Sequence, residues 1–122
     1  MATILVVDDE KEVTELLEEF LSDKGYTVYT AQNGRMAVEI TKKIRPHIVL
    51  LDIMMPEMDG ITTLKELKKI DPAIGVVMAT AVKDEELAKS TMAMGAYDYV
   101  VKPFNLDYLE NVLLTKMVDI LG

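Results

Sequence analysis

The chain of 122 residues has no cysteine and no tryptophan, and its apolar runs are short. The lack of cysteine excludes disulfides, thiolate nucleophiles and zinc sites with sulfur ligands. Apolar runs such as 4–7 (ILVV) are far shorter than the roughly 20 residues that span a bilayer. Basic residues are outnumbered, with 13 Lys and Arg against 21 Asp and Glu and a formal net charge of −8. Such a chain gains little from phosphate backbones, so direct nucleic-acid binding by this domain is not expected.

The first residues carry neither a basic leader nor the long apolar stretch of a secretory signal. We therefore expect a cytoplasmic protein that does not contact a membrane. Hydrophobic residues make up 50% of the chain, and its length is that of one ordinary domain. We expect a single globular domain over residues 1–122, with no output domain in this chain.

Short apolar segments alternate with segments of helical periodicity along the whole chain. Strands are predicted at about 3–7, 27–31, 48–51, 76–80 and 97–101. Strands that alternate with helices form parallel sheets whose right-handed crossovers cover both faces. The pattern therefore predicts a doubly wound α/β fold.

Five amphipathic helices are predicted between and after these strands. The last one runs from about 106 to 121, and the fourth, from about 84 to Gly95, has the weakest apolar stripe. The first helix ends at Gly25, a typical residue for a C-terminal cap. Two predicted inward-facing stripes can be tested residue by residue: Val13, Leu16, Leu17, Phe20 and Leu21 in the first helix, and Ala37, Ile40 and Ile44 in the second.

Polar side chains stand where the predicted strands end. Asp8 and Asp9 follow the first strand, Asp52 follows the third, and Thr80 and Lys102 end the fourth and fifth. In open α/β sheets, ligands bind at the carboxyl ends of the strands, where the strand order reverses. If the first and third strands flank that reversal, the three aspartates line one crevice.

A carboxylate cluster of this kind needs a positive partner, because neighbouring carboxylates repel each other. Oxygen ligands without histidine suit a hard cation, and Mg²⁺ is favoured because it takes few protein ligands. Such an ion commonly also holds a phosphoryl oxygen, and Lys102 and the Thr80 hydroxyl could contact the remaining oxygens. A carboxylate is the best nucleophile in this set, so the residues suggest phosphoryl transfer to an aspartate.

Four fragments carry a more specific signal: 6–10 (VVDDE), 51–60 (LDIMMPEMDG), 79–81 (ATA) and 95–104 (GAYDYVVKPF). In this order and spacing they resemble the receiver domain of response regulators in two-component signalling, the family of the chemotaxis regulators. The resemblance covers essentially the whole chain. It implies a flavodoxin-like (βα)5 sandwich of three layers, with a five-stranded parallel sheet in the order 2-1-3-4-5.

The resemblance also implies a role for each matching residue. Asp52 would be the phospho-acceptor, and its phosphoryl group would come from a sensor histidine kinase or a histidine phosphotransfer protein. Asp8, Asp9, Asp52 and the backbone carbonyl of Met54 would hold Mg²⁺, for which Mn²⁺ can substitute. Lys102 would pair with the aspartyl phosphate, and the Lys102–Pro103 bond would be cis.

Thr80 and Tyr99 would act as the switch, with Thr80 bonding the phosphoryl group and Tyr99 turning inward. Their movement would reshape the face of the fourth helix, fifth strand and fifth helix for an unknown protein effector. The domain would be a monomer or a weak, phosphorylation-dependent homodimer. Met54 and Val82 are apolar where some relatives carry polar groups, and we hypothesise that they slow hydrolysis of the phosphoryl group.

Other functions remain open from the sequence. A receiver of this kind is not an enzyme in the usual sense, since it would only phosphorylate itself from donors and slowly lose the group. One alternative is a scaffold that binds a partner without phosphorylation. Another is a phosphatase or mutase of the haloacid dehalogenase type, although Met54 stands where its general acid would be. His47, the only histidine, is interpreted as a loop residue before the third strand rather than as a phosphohistidine or metal ligand.

Overall fold

The computed structural model describes residues 2–103 and 105–121. Met1, Gly122 and Phe104, the last residue of the fourth family-like fragment, lie outside the described residues. The strands are β1 (Thr3–Val7), β2 (Thr27–Ala31), β3 (Ile48–Leu51), β4 (Gly75–Thr80) and β5 (Asp98–Val101). The helices are α1 (Lys11–Asp23), α2 (Gly34–Ile44), α3 (Gly60–Ile70), α4 (Glu85–Ala93) and α5 (Leu106–Leu121). None of these helices has the length and apolar character needed to cross a membrane.

The five strands form one parallel sheet in the order β2-β1-β3-β4-β5. The predicted flavodoxin-like fold is therefore confirmed. The order in which strands are added to the sheet reverses at β1 and β3, and there Val7 is in register with Leu51. Leu51 is in turn in register with Met78 of β4. The residues that follow these positions consequently emerge side by side at one edge.

The sheet separates two hydrophobic cores, as expected for three layers. The β3 side chains alternate between them, and all four are buried, which explains the unbroken apolar run of this strand. Helices α2 and α3 pack on one face through residues such as Ala37, Leu64 and Leu67. Helices α1 and α5 cover the other face through residues such as Leu17, Leu21, Leu109 and Leu113. Each fully buried leucine or isoleucine contributes about 1.5–3 kcal/mol.

Two predictions of inward-facing residues were wrong. Leu16 is 56% exposed, and Thr14 is buried on α1 instead. The Thr14 hydroxyl can be buried because it donates to the Lys11 carbonyl at 2.9 Å. Ile44 is 39% exposed because it lies in the last turn of α2, whereas Thr41, one turn earlier, is fully buried.

The helix ends follow local chemistry. The Asp59 carboxylate accepts a hydrogen bond from the Thr62 amide at 2.8 Å and caps the N-terminus of α3. Gly25 and Gly95 have positive φ values just after α1 and α4, a backbone region that favours glycine. β5 begins one residue later than the sequence predicts, and β4 one residue earlier.

Candidate functional site

Main-chain hydrogen bonds extend the sheet beyond the ends of its strands and fix the candidate residues to it. The Asp52 amide donates to the Val7 carbonyl at 3.1 Å, and the Asp8 amide donates to the Ala31 carbonyl of β2, also at 3.1 Å. The Lys102 amide donates to the Thr80 carbonyl at 2.8 Å. Main-chain hydrogen bonds to a neighbouring strand thus fix the backbone of four candidate residues: Asp8, Asp52, Thr80 and Lys102.

The carboxylates at this edge differ in exposure. Asp8 is 2% exposed and Asp52 is 6% exposed, whereas Asp9 and Glu10 are open to solvent. Carboxylate oxygens of Asp8, Asp9 and Glu10 lie within 4.8 Å of one another. The Glu10 amide donates to Asp8 Oδ1 at 2.9 Å, which orients that carboxylate. Buried and exposed oxygens of this kind form a set that fits a hard divalent cation with several waters.

Lys102 connects the two buried aspartates. Its Nζ donates a hydrogen bond to Asp8 Oδ2 and lies 3.6 Å from Asp52 Oδ2. Burial by itself lowers the pKa of Lys102, but the hydrogen bond to Asp8 and the surrounding carboxylate charges outweigh it. The pKa therefore lies above its ordinary value, and the ammonium carries its positive charge beside Asp52 at neutral pH.

The two predicted switch residues meet at the loop between β4 and α4. Thr80 is fully buried, and its Oγ1 accepts a hydrogen bond from the Val82 amide at 3.3 Å. The Tyr99 hydroxyl donates to the Val82 carbonyl at 2.5 Å. Burial, followed by the charges of Asp84 and Asp52, raises the pKa of Tyr99, so its hydroxyl remains a donor near neutral pH. The Lys102–Pro103 bond is cis, as predicted.

Met54 lies in the loop between β3 and α3, directly beyond Asp52. Met54 is 65% exposed, while its amide donates a hydrogen bond to Asp52 Oδ1 at 3.4 Å. The flanking Ile53 and Met55 side chains are buried and anchor the loop in the core. Further along the loop, Glu57 has a φ of 67°, which a residue with a side chain rarely adopts.

An apolar groove of about 610 Å³ adjoins the site on the side of α1 and α5. The exposed Leu16 side chain lines it, which accounts for a leucine that the helical pattern wrongly predicts in the core. Lys102, whose ammonium contacts both buried carboxylates, is one of the residues that line the groove. Its lining residues are Val13, Leu16, Leu17, Ala81, Lys102, Pro103 and Leu106.

His47 lies away from this edge, at the opposite end of β3. Its Nδ1 accepts a hydrogen bond from the Thr3 amide at 3.0 Å. This contact supports its interpretation as a structural loop residue. Sequence reasoning assigned no role to Glu10, which lies in the acidic group, or to Gly60, which packs against the backbone of Asp52. The fragments 6–10 and 51–60 contain both residues, but only the folded chain shows these contacts.

The chain matches the family model of the response regulator receiver domain over residues 4–114. It is 38% identical over 110 residues to sporulation initiation phosphotransferase F of Bacillus subtilis, a match that covers 90% of this chain and 89% of that protein. Regulatory protein AtoC of Escherichia coli is 42% identical over 110 residues, but the match covers only 24% of it. The chain thus spans about a quarter of the length of the larger regulators that it matches.

A solved structure agrees with these sequence matches. A chain of the CheX–CheY–BeF3–Mg²⁺ complex from Borrelia burgdorferi superposes with a TM-score of 0.90 at 32% identity. The match covers 93% of this chain and 87% of that one.

Proposed function

The chain belongs to the response regulator receiver family, and on this premise we propose that Asp52 accepts a phosphoryl group. Receiver domains are signalling modules that histidine kinases phosphorylate and that typically bind Mg²⁺ at an acidic site. The donor would be a phosphohistidine of a sensor kinase or a histidine phosphotransfer protein. The observation that carries the proposal is the Asp52 carboxylate, buried at the end of the central strand and 3.6 Å from the Lys102 ammonium.

The chemistry requires a carboxylate whose attack is guided by fixed charges. An Asp52 oxygen attacks phosphorus, a P–O bond forms, and the P–N bond of the phosphohistidine breaks while its imidazole takes up a proton. Lys102 remains protonated throughout and pairs with a phosphoryl oxygen. Positioning and charge neutralisation supply most of the catalysis in such transfers, and both are provided by groups fixed to the sheet.

Mg²⁺, or Mn²⁺ as a substitute, would be held by four groups: the carboxylates of Asp8, Asp9 and Asp52 and the backbone carbonyl of Met54. All of these ligands are oxygens, and the close approach of Asp8 to Asp9 and Glu10 fits a divalent cation. When bound, the ion would neutralise charge on the phosphoryl oxygens. Glu10 would act through its amide, which orients Asp8.

Thr80 and Tyr99 would pass the signal to the face of α4, β5 and α5. Both contact Val82, so a movement of the Thr80 hydroxyl towards a phosphoryl group would release one of the two hydrogen bonds to this residue. The altered face would bind a protein effector or support a weak homodimer. In the related complex from Borrelia burgdorferi, CheX is bound to CheY.

The apolar groove beside Lys102 is where we place the donor protein, by analogy with the family. A helix that carries a phosphohistidine would set an apolar side chain between α1 and the loop after β5, with its imidazole directed at Asp52. The exposed Leu16 and the partly buried Leu106 would be its main contacts. We further propose that the protein acts in the cytoplasm, where such kinases present their phosphohistidine, and that this domain does not bind nucleic acid.

The test is intact-mass spectrometry after incubation with Mg²⁺ and a small phosphoryl donor such as acetyl phosphate. Wild type should gain one phosphoryl group, while wild type in EDTA and Asp52→Asn in Mg²⁺ should gain none. Asp23→Asn, an equal change at the exposed end of α1, should be labelled like wild type.

Other outcomes would favour the alternatives. A folded wild type that binds Mg²⁺ but is labelled neither by the small donor nor by a phosphorylated histidine kinase would indicate a scaffold without phosphorylation. Sustained turnover of a small phosphate ester would indicate a phosphatase.

A further inference from the structure

Gly60, the first residue of α3, touches the backbone of the acceptor aspartate. A Cβ atom built on Gly60 would lie 2.2 Å from the Asp52 carbonyl oxygen and 2.6 Å from the Ile53 Cα. Gly60 does not have a positive φ, so its backbone conformation is open to any residue. The need for glycine here is therefore one of space, and the space is taken by the peptide that carries Asp52.

The same residue closes the loop that follows Asp52. The Gly60 amide donates to the Ile53 carbonyl at 2.9 Å, and the Met55 amide donates to the same oxygen at 3.1 Å. Residues 53–60 therefore form a closed loop whose two ends meet at Ile53. The backbone of Met54, the proposed carbonyl ligand of the metal, lies inside this closure.

Helix α3 is too firmly held to yield to an added side chain. Asp59 caps its N-terminus, and the Thr63 hydroxyl donates back to the Asp59 carbonyl at 2.8 Å. Leu64 and Leu67 on the same helix are fully buried. Because protein interiors are close-packed, a methyl group at position 60 would be accommodated mainly by displacement of the peptide between Asp52 and Ile53.

We infer that Gly60 is a positioning residue for phosphoryl transfer. Its missing side chain lets α3 abut the acceptor peptide, and its amide closes the loop that presents the Met54 carbonyl. Gly60 thereby sets the distance between the Asp52 carboxylate and this carbonyl. The inference rests on the proposed function of Asp52 as phospho-acceptor.

The chain offers a matched control. A Cβ on Gly34, the first residue of α2, would lie 2.3 Å from the Thr63 Oγ1 and 2.9 Å from Met58 side-chain atoms. The steric conflict is of similar size, but the opposing atoms belong to side chains rather than to the acceptor backbone. Gly34→Ala should thus disturb packing without displacing Asp52.

The experiment compares Gly60→Ala, Gly34→Ala and wild type, each as the full chain. Mg²⁺ affinity is measured by calorimetry with the metal alone, and phosphorylation is measured with acetyl phosphate at saturating Mg²⁺. Gly60→Ala should bind Mg²⁺ about 10- to 100-fold more weakly, as is typical when a group that supports metal ligands is changed. Its phosphorylation rate should fall by about tenfold or more, because small misplacements are costly in such reactions. Gly34→Ala should remain within about twofold of wild type in both measurements.

A spectroscopic readout separates displacement of the acceptor from general destabilisation. In metal-free ¹H–¹⁵N spectra, Gly60→Ala should shift the amides of Asp52, Ile53 and Met54 strongly, whereas Gly34→Ala should leave them near their wild-type positions. Thermal unfolding of both variants gives the size of any loss of stability. If Gly60→Ala does not fold, the measurements are repeated for all three proteins in sucrose, which favours the compact folded state.

The inference is overturned if wild type is phosphorylated and Gly60→Ala equals it in Mg²⁺ affinity and rate. It is also overturned if both glycine variants lose these properties in proportion to stability, or if Gly60→Ala remains unfolded in sucrose. Failure of wild type itself to be labelled would instead sink the proposed function, so the two failures are distinguishable.

Discussion

Replacement of Lys102 by methionine should expose the energetic role of the ammonium between the two buried aspartates. Methionine keeps the apolar stem that lines the groove and removes only the charge. In metal-free protein, Asp8 and Asp52 would then be buried without their cation. We therefore expect a large loss of stability in EDTA.

The size of the loss follows from the distance and the surroundings. Opposite unit charges 3.6 Å apart, as for Lys102 and Asp52, attract by about 4.6 kcal/mol at an effective dielectric constant of about 20. Removal of one partner from a buried pair typically costs about 3–5 kcal/mol. The Lys69–Glu66 pair has the same separation of 3.6 Å, but both side chains are exposed. In water that pair is worth about 1.2 kcal/mol before the cost of ordering two side chains, and about 0–1 kcal/mol after it.

The assay is urea unfolding followed by circular dichroism, with Lys69→Met as the control for distance. In EDTA, the free energy of unfolding should fall by about 3–5 kcal/mol in Lys102→Met and by less than about 1 kcal/mol in Lys69→Met. Added Mg²⁺ should narrow the difference between Lys102→Met and wild type, because the metal replaces the missing cation and stabilises the folded state by linkage. A loss below about 1 kcal/mol in EDTA, or a difference that Mg²⁺ leaves unchanged, would refute this reasoning.

Four further predictions follow from the same contacts. The pKa of Lys102 is raised above its ordinary value of 10.5 in the fold. The pairing with Asp8 and Asp52 is therefore intact below pH 10.5, and its stabilisation is lost only as pH rises through the folded-state pKa. The difference in free energy of unfolding between wild type and Lys102→Met should be flat from about pH 6 to 9 and shrink above about pH 10.5. Met54→Asn with Val82→Glu should speed loss of the phosphoryl group about tenfold or more by orienting water, and an unchanged decay by mass spectrometry would contradict the hypothesis that these apolar side chains slow hydrolysis. Glu57→Gly should raise stability to urea by about 0.5–1 kcal/mol, since the left-handed backbone at φ 67° strains glutamate more than glycine; a loss of stability would count against strain at this position. Thr41→Val should raise stability by about 1 kcal/mol, because the Thr41 hydroxyl is buried and finds no hydrogen-bond partner among the described residues; a destabilised variant would indicate a partner such as an internal water.

The regular elements were predictable because each is encoded locally. The bounds of β1, β2, β3 and α5 coincide with those predicted from apolar runs, and the errors at β4 and β5 are of one residue. The alternation of strand and helix predicts a parallel sheet, while the strand order came from the family resemblance. The convergence of Asp8, Asp52 and Lys102 at one edge follows from that order and from the shared end of the strands.

Side-chain burial was less predictable, because it depends on what covers each position. Leu16 fits the helical stripe of α1, yet the groove next to it leaves it exposed. Thr14 and Thr41 are polar by type but short enough to fill core positions. The close approach of Gly60 to the Asp52 backbone joins two segments of the chain, and no local sequence pattern predicts a contact between backbones.

The proposed acceptor Asp52 follows the central strand of the sheet, and this strand differs in local stability from helix α4. β3 is hydrogen-bonded to strands on both sides and all its residues are buried, so its amides should exchange with solvent only when the whole domain unfolds. Helix α4, by contrast, has one buried residue, Thr91, among its nine, and its amides should exchange through local opening. Phosphorylation of Asp52, as proposed, would thus take place directly after the strand that is expected to exchange most slowly, while the helix next to the switch loop could reorganise at a small fraction of the global unfolding free energy.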